Sequence, residues 1–383
     1  MNILFHCWEY PPHGSGVGSY IMHMTQAFRN RGHFTIVVTS HGDEGRSEEQ
    51  SDSGVVYRAY KVQDIGNPRI TDLVLELANK YNVDWIEGVD RLGESSDLLS
   101  CSGRPPVIIK THYNDILRAS RYGHAHYFWQ KPLIDLACWR YRKRLEREKI
   151  SLEQADVLIA PCTRILHEME TQGIKLPVQR FTVPNPITPV NEWANIETED
   201  PTLLLVGRID VGKGIAHLAS IIDRLKNDYP GLKIEIAGDD GYARFIGSTL
   251  KWLVRKLGSN ISHVRFLGHL DQRGLNSAYA RAWVVIVPSE WDTFPTVVLE
   301  SMVRKKPIVA SYNGGMTEML EGTENIVADP ASGMFADQIE KFVSSRKLRM
   351  SAGLSGYYKA ITNYNPEHVA DDYLSKLHSC GII

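Results

Sequence analysis

Two doubly wound α/β domains in series are the fold the sequence predicts. Short apolar runs alternate with helix-spaced segments along most of the chain, the alternation restarts after one proline-rich stretch, and 383 residues suffice for two hydrophobic cores. Hydrophobic residues make up 43% and charged residues 23%, the values of a globular protein. A net charge of −2 gives no reason to expect a nucleic acid partner. Cys7, Cys101, Cys138, Cys162 and Cys380 form an odd, scattered set without a C-x-x-C pair, which suits a reducing cytosol better than a disulfide framework. The opening MNILFHCWEYPP has no basic lead and too short an apolar run for a signal peptide. No stretch reaches the roughly 18 apolar residues of a membrane span. The expectation is a cytoplasmic protein, at most peripheral at the inner face of a membrane.

Residues 2–7 read as the first buried strand, 11–19 (PPHGSGVGS) as a loop, 20–29 as a helix that Gly32 can cap, and 34–39 as the second strand. This is how a parallel sheet begins. The loop invites a dinucleotide reading, but the G-x-G-x-x-G slot closes on Ser19 and two prolines separate it from the strand, which disfavours a nicotinamide dehydrogenase. The polar stretch 41–53 reads as a loop. Residues 55–60, 83–86, 107–109, 156–160 and 181–183 read as further strands. His112, in KTHYND, is a candidate site residue; the competing reading is a structural histidine. Residues 127–154 have a long helical spacing whose centre, WRYRKRLEREK at 139–149, sets six cations against two acids. It reads either as an ion-paired helix or as a contact for an anionic membrane surface or lipid-linked acceptor.

Residues 184–201, with four prolines and several acids, form the linker. They divide an N-terminal domain, 1–186, from a C-terminal domain, 187–364. Strands are expected near 202–206, 232–237, 263–267, 283–287, 307–310 and 325–328, with helices between. The chain breaks at Asn365-Pro366, and 367–377 reads as a last helix.

The chemistry concentrates in the second half. The strand at 283–287 runs into PSEWDTFPTVVLESMVRKKP at 288–307. Pro288, Ser289 and Asp292 end the strand, and helical spacing begins at Thr296. A helix N-terminus there offers N–H groups and partial positive charge to an anion such as phosphate. Asp292 sits in the loop and Glu300 about one turn into the helix. Such a pair suits a ligand with hydroxyls at both ends and phosphate between, a nucleotide sugar; solvated acids on an ordinary crossover are the competing reading. Another strand leads into GRIDVGKG at 207–214, where Arg208 and Lys213 frame a glycine-rich turn and can neutralise a diphosphate, one as a fork and one as a point charge. The histidines lack a metal-ligand pattern, and Asp239-Asp240 is not the D-x-D of metal-dependent transferases. No cofactor and no metal are expected, since the two cations can do the same electrostatic work.

GRIDVGKG, GDDG at 238–241, the acidic loop at 288–300 and NGGMTE at 313–318, in this order, resemble the retaining, nucleotide-sugar-dependent glycosyltransferases of the GT-B fold. The nearest group is the large family, glycosyl transferases group 1, that includes bacterial mannosyl- and glucosyltransferases. The motifs lie between residues 207 and 318, and the two-domain layout matches over nearly the whole chain. The resemblance implies two Rossmann-like domains facing across a cleft, with the segment from about 365 to 383 packing back on the N-terminal domain. It implies that Glu300 binds the ribose hydroxyls and that Asp292 stands where the family has its first glutamate, on the sugar hydroxyls, one methylene shorter. The backbone of Phe294, Pro295, Thr296 and Val297 would lie against the sugar and β-phosphate. Gly16 matches the second glycine of the family's Gly-Gly pair, with Ser15 at the first; Gly315 and Glu318 match its second glycine-acid loop. The family's histidine after the strand at 83–86 is missing from DWIEGVD. The implied reaction moves a hexose from a UDP- or GDP-sugar to a hydroxyl of a glycan or lipid-linked acceptor, in polysaccharide, glycolipid or envelope glycan synthesis. It proceeds by front-face attack, with no protein nucleophile and no metal. A sugar-nucleotide epimerase of similar fold and a non-catalytic bilobed sugar-binding protein stay open.

Overall fold

The structure, a computed structural model, describes residues 1–383 apart from 13–15, 44, 113, 118–141, 191–194 and 244–246. The chain forms two units, Met1–Pro186 with Pro366–Ile383, and Ile187–Asn365.

In the first unit the order is β1 (Asn2–His6), α1 (Gly16–Asn30), β2 (Phe34–Ser40), β3 (Ser47–Ser51), β4 (Gly54–Tyr60), α2 (Pro68–Lys80), β5 (Trp85–Val89), β6 (Val107–Lys110), α3 (Arg142–Gln154), β7 (Val157–Ala160), α4 (Thr163–Thr171) and β8 (Arg180–Thr182). The strands lie in the order β3-β4-β2-β1-β5-β6-β7-β8. All neighbours are parallel except β3, which runs antiparallel to β4. The central strands are fully buried, as apolar strands covered by helices on both faces must be.

Two differences from the sequence reading have plain causes. Residues 41–53 contain β3, whose SEEQS has no apolar alternation and is exposed throughout. Backbone pairing with β4 alone makes it a strand, and its charges discourage further pairing at the sheet edge. β5 begins at Trp85, not at 83, because Trp85 is the first residue in register with β1. Of the helix expected over 127–154, α3 is the part that falls within the described residues.

The second unit runs β9 (Thr202–Val206), α5 (Leu218–Leu225), β10 (Lys233–Ala237), β11 (Tyr242–Ala243), β12 (Gly247–Ser248), α6 (Thr249–Leu257), β13 (Val264–Gly268), α7 (Gln272–Arg281), β14 (Val284–Val287), α8 (Thr296–Val303), β15 (Ile308–Ser311), α9 (Met316–Leu320), β16 (Ile326–Ala328), α10 (Met334–Ser344) and α11 (Arg346–Asn363). Its main sheet has the order β13-β10-β9-β14-β15-β16, every pair parallel. From β9 the chain winds first to β10 and later to β14 on the other side. Between β9 and β14 the winding reverses, and ligands of such sheets bind outside the carboxyl ends at that point.

The last helix, α12 (Pro366–Ser379), belongs to the first unit. Its Tyr373 is fully buried, stacked on Trp85 with ring centroids 5.5 Å apart and edge-on to Phe28 at 5.8 Å. Each such pair adds about 0.5–1.5 kcal/mol beyond area burial. The Tyr373 hydroxyl donates to Glu87, whose carboxyl is pushed up to about 7 by burial. Arg31, just after α1, pairs with Glu367 and Asp371. No described helix is long and apolar enough to cross a membrane.

Candidate active site

Strands β10, β9, β14 and β15 are neighbours, so the loops that follow them leave the sheet side by side. The loop after β9 carries Arg208 and Lys213. In it, Asp210 accepts the Gly212 N–H at 2.8 Å and closes a short 3-10 turn, Val211–Lys213. Gly214 follows with φ +73°, and a Cβ there would overlap the Pro288 carbonyl oxygen. Glycine therefore lets this loop lie directly on the loop after β14. Glu290 N–H donates to Gly212 O at 2.9 Å, His217 Nε2 lies 2.8 Å from Glu290 Oε1, and Lys213 Nζ donates to Asp292 Oδ2 at 2.7 Å.

The loop after β15 docks on the same segment. Gly315 N–H donates to Asp292 O at 3.0 Å. Gly314, at φ +70°, leaves room for that carbonyl, which a Cβ would overlap. The loop after β10 joins through Ile209 N–H to Asp239 O, 2.8 Å, and Gly241 N–H to Ile209 O, 3.0 Å. Lys213, Asp292 and Gly315 are thus brought together from three loops, and Arg208 lies on the same loop as Lys213. The Arg208 side chain is 69% exposed, 3.7 Å from Asp210, whereas Asp292 is largely covered beside Lys213. A partly solvated pair of this kind is worth no more than about 1 kcal/mol, so it matters more for placement than for stability.

Helix α8 starts at Thr296 with Pro295 as its N-cap, and no side-chain cap hydrogen bond occupies its start. The partial positive charge of its first turn lies beside the Asp292 loop. Phe294 packs edge-on against Tyr364 at 5.6 Å and anchors the turn, and Val297 is buried. Glu300, one turn along, accepts from the Tyr279 hydroxyl at 3.0 Å. Glu318 lies on α9, and its carbonyl accepts from Lys359 Nζ at 2.8 Å. Asp240 of GDDG is used locally, taking Leu250 N–H at 2.8 Å and Ser248 Oγ at 2.5 Å to start α6.

In the first unit Gly16 opens α1; Ser15 lies outside the described residues. His112 follows β6, buried, with its N–H on Asp90 Oδ1 at 3.0 Å and its ring edge-on to Tyr20 at 4.7 Å. Burial, helped by Lys110, holds its imidazole well below the usual histidine range, so it is neutral. Asp90 also accepts from Thr111 Oγ1 at 2.5 Å and Asn114 Nδ2 at 3.0 Å, which fixes the His112 loop. In the basic segment, Arg144 pairs with Asp115, Arg147 with Asp97, and Lys149 with Glu153. The ion-paired reading accounts for these three cations; Arg142 and Lys143 are exposed, and 139–141 lie outside the described residues.

The profile of the family described as "Glycosyl transferases group 1" matches residues 191–357, and that of "Glycosyltransferase Family 4" matches 14–189. The chain belongs to the group 1 glycosyltransferases. A glycogen synthase of Mycobacterium tuberculosis is 25% identical over 364 residues, covering 86% of this chain and 83% of its own. A sulfoquinovosyl transferase of Arabidopsis thaliana is 34% identical over 141 residues, covering 36% of this chain and 25% of its own. Among solved structures, sucrose-phosphate synthase of Thermosynechococcus elongatus superposes with a TM-score of 0.79 at 18% identity over 99% of both chains. The Anabaena protein HepE in complex with UDP-glucose gives 0.70 at 18% identity, over 99% of this chain and 100% of that one. These superpositions show the GT-B fold. In this group 1 glycosyltransferase, sequence reasoning missed Glu290, His217 and Tyr279. Glu290 stood inside a motif already singled out; His217 and Tyr279 carry no local signal, because their partners are 73 and 21 residues away.

Proposed function

We propose that this glycosyltransferase is a retaining hexosyltransferase that takes its donor, a nucleoside diphosphate hexose, in the second unit. The observation that carries the reading is the meeting of four motif loops at the reversal point of one sheet, with Lys213 and Asp292 joined at 2.7 Å. Solved neighbours titled as complexes with UDP, UDP-glucose and UDP-2-fluoro glucose favour a uridine diphosphate donor. In this reading Arg208, Lys213 and the start of α8 balance the charge of the departing diphosphate. Asp292 takes sugar hydroxyls and Glu300 the ribose diol. The turn from Phe294 through Pro295 and Thr296 to Val297 lies against the sugar and β-phosphate, with Gly315 and Glu318 beside them. The remaining candidate residues, Gly16 and His112, belong to the first unit. The bond between the anomeric carbon and the β-phosphate oxygen breaks, its electron pair leaving on the diphosphate. The acceptor oxygen bonds to the same face, and its proton passes to the leaving phosphate oxygen. No protein nucleophile and no metal take part. The acceptor is a hydroxyl of a glycan or lipid-linked saccharide.

A thermal-shift panel of UDP, GDP, ADP and NAD tests the donor class. The matching nucleoside diphosphate at 100 times its dissociation constant stabilises by about 2.7 kcal/mol. Two substitutions then divide the acids. Glu300→Gln weakens nucleoside diphosphate binding itself. Asp292→Asn leaves that affinity near wild type and lowers kcat for transfer. Wild-type nucleotide affinity in both variants would contradict the division.

A further inference from the structure

Glu300 is bracketed by residues that the sequence reading did not single out as site residues. Tyr279, on α7, is wholly buried, and its hydroxyl donates to Glu300 Oε2 at 3.0 Å. Arg304, the C-cap of α8 four residues beyond Glu300, lays its guanidinium over the Tyr279 ring, 4.8 Å from the centroid. It donates from Nη1 to Glu300 O at 3.0 Å, and from Nε and Nη2 to Asn276 Oδ1 at 3.1 and 2.8 Å. Asn276 and Tyr279 are three residues apart on α7 and share a face of it. The α7 face therefore grips α8 at the level of Glu300. Burial, with the Glu300 charge adding to it, holds the Tyr279 phenol well above the usual tyrosine range, so it stays a donor at working pH.

A glutamate side chain on a half-exposed helix face samples several rotamers, and ordering it on ligand binding costs affinity. We propose that Tyr279 is a positioning residue for nucleoside recognition: its hydroxyl occupies one oxygen of Glu300 and fixes the rotamer that leaves the other oxygen to a ribose diol. The proposal rests on the assignment of Glu300 to the ribose made above. Tyr279→Phe keeps the ring and the stacked guanidinium and removes one O–H.

The test is titration calorimetry of the full chain with UDP and 2′,3′-dideoxy-UDP, GDP and its dideoxy form serving as the parallel pair. Wild type, Tyr279→Phe, Glu300→Gln and the double variant are compared. In Tyr279→Phe the affinity for the normal nucleotide falls about tenfold, the scale of one hydrogen bond to a charged group. Affinity for the dideoxy nucleotide stays put, because that ligand makes no use of the positioned oxygen. The double variant binds no more weakly than Glu300→Gln alone. Equal loss of both nucleotides in Tyr279→Phe marks a general packing defect and overturns the proposal. Loss in Glu300→Gln with wild-type binding in Tyr279→Phe overturns the positioning role alone. Wild-type binding in Glu300→Gln removes the ribose assignment itself, and the proposal with it.

Discussion

Lys213→Ala is expected to lower kcat/KM by about 10²–10³, the effect of losing one preorganised charge at the leaving group. The geometry adds a second cost. Lys213 Nζ is 2.7 Å from Asp292 Oδ2, so its removal leaves an unbalanced carboxylate at the proposed donor site. Arg208 is more exposed, and its contact with Asp210 is 3.7 Å, so Arg208→Ala should fall at the lower end of the same range. Steady-state kinetics with the donor found in the thermal-shift panel measures both. EDTA should leave wild-type activity unchanged. An Arg208 variant more damaged than the Lys213 variant, or a strict requirement for Mn²⁺ or Mg²⁺, would count against this electrostatic account.

Gly214→Ala is expected to destabilise the second unit by about 2–4 kcal/mol and to abolish nucleotide binding. Gly214 has φ +73°, and the added Cβ would collide with the Pro288 carbonyl, which is backbone and cannot swing aside. The loops after β9 and β14 would have to part, taking Lys213 from Asp292. Gly322 supplies the control. Its φ is +72° and no atom lies within 4 Å of a Cβ built there. Gly322→Ala should cost only the conformational strain, about 1 kcal/mol, with binding intact. Urea unfolding of the two variants separates strain from collision; equal costs would mean that the two loops yield more easily than their contacts imply.

The strands were legible where apolar residues run unbroken. TLLLV of β9 and VVIV of β14 are read directly, because a parallel strand covered on both faces has no polar side to show. β3 was not legible, since its five polar residues become a strand through a partner and not through their own pattern. At the site, Arg208, Lys213, Asp292 and Glu300 could be picked out because glycines and helix-start signals surround them. Their company could not. That Lys213 meets Asp292, and His217 meets Glu290, depends on which strands end up adjacent, information held in the winding of the sheet and not in either loop. Asp240 shows the converse. It stands in a motif, yet its carboxylate is spent on starting α6.

The place of α12 bears on how the protein is made. The first unit's sheet strands leave the ribosome before residue 187, but the helix that covers Phe28 and Trp85 comes after the whole second unit. At about 5–20 residues per second the wait is roughly 10–40 s. During that time the nascent first unit carries an aromatic face with no cover, while the second unit has all its residues in one continuous stretch and can close as soon as it emerges. The later-synthesised unit is therefore the first able to finish folding.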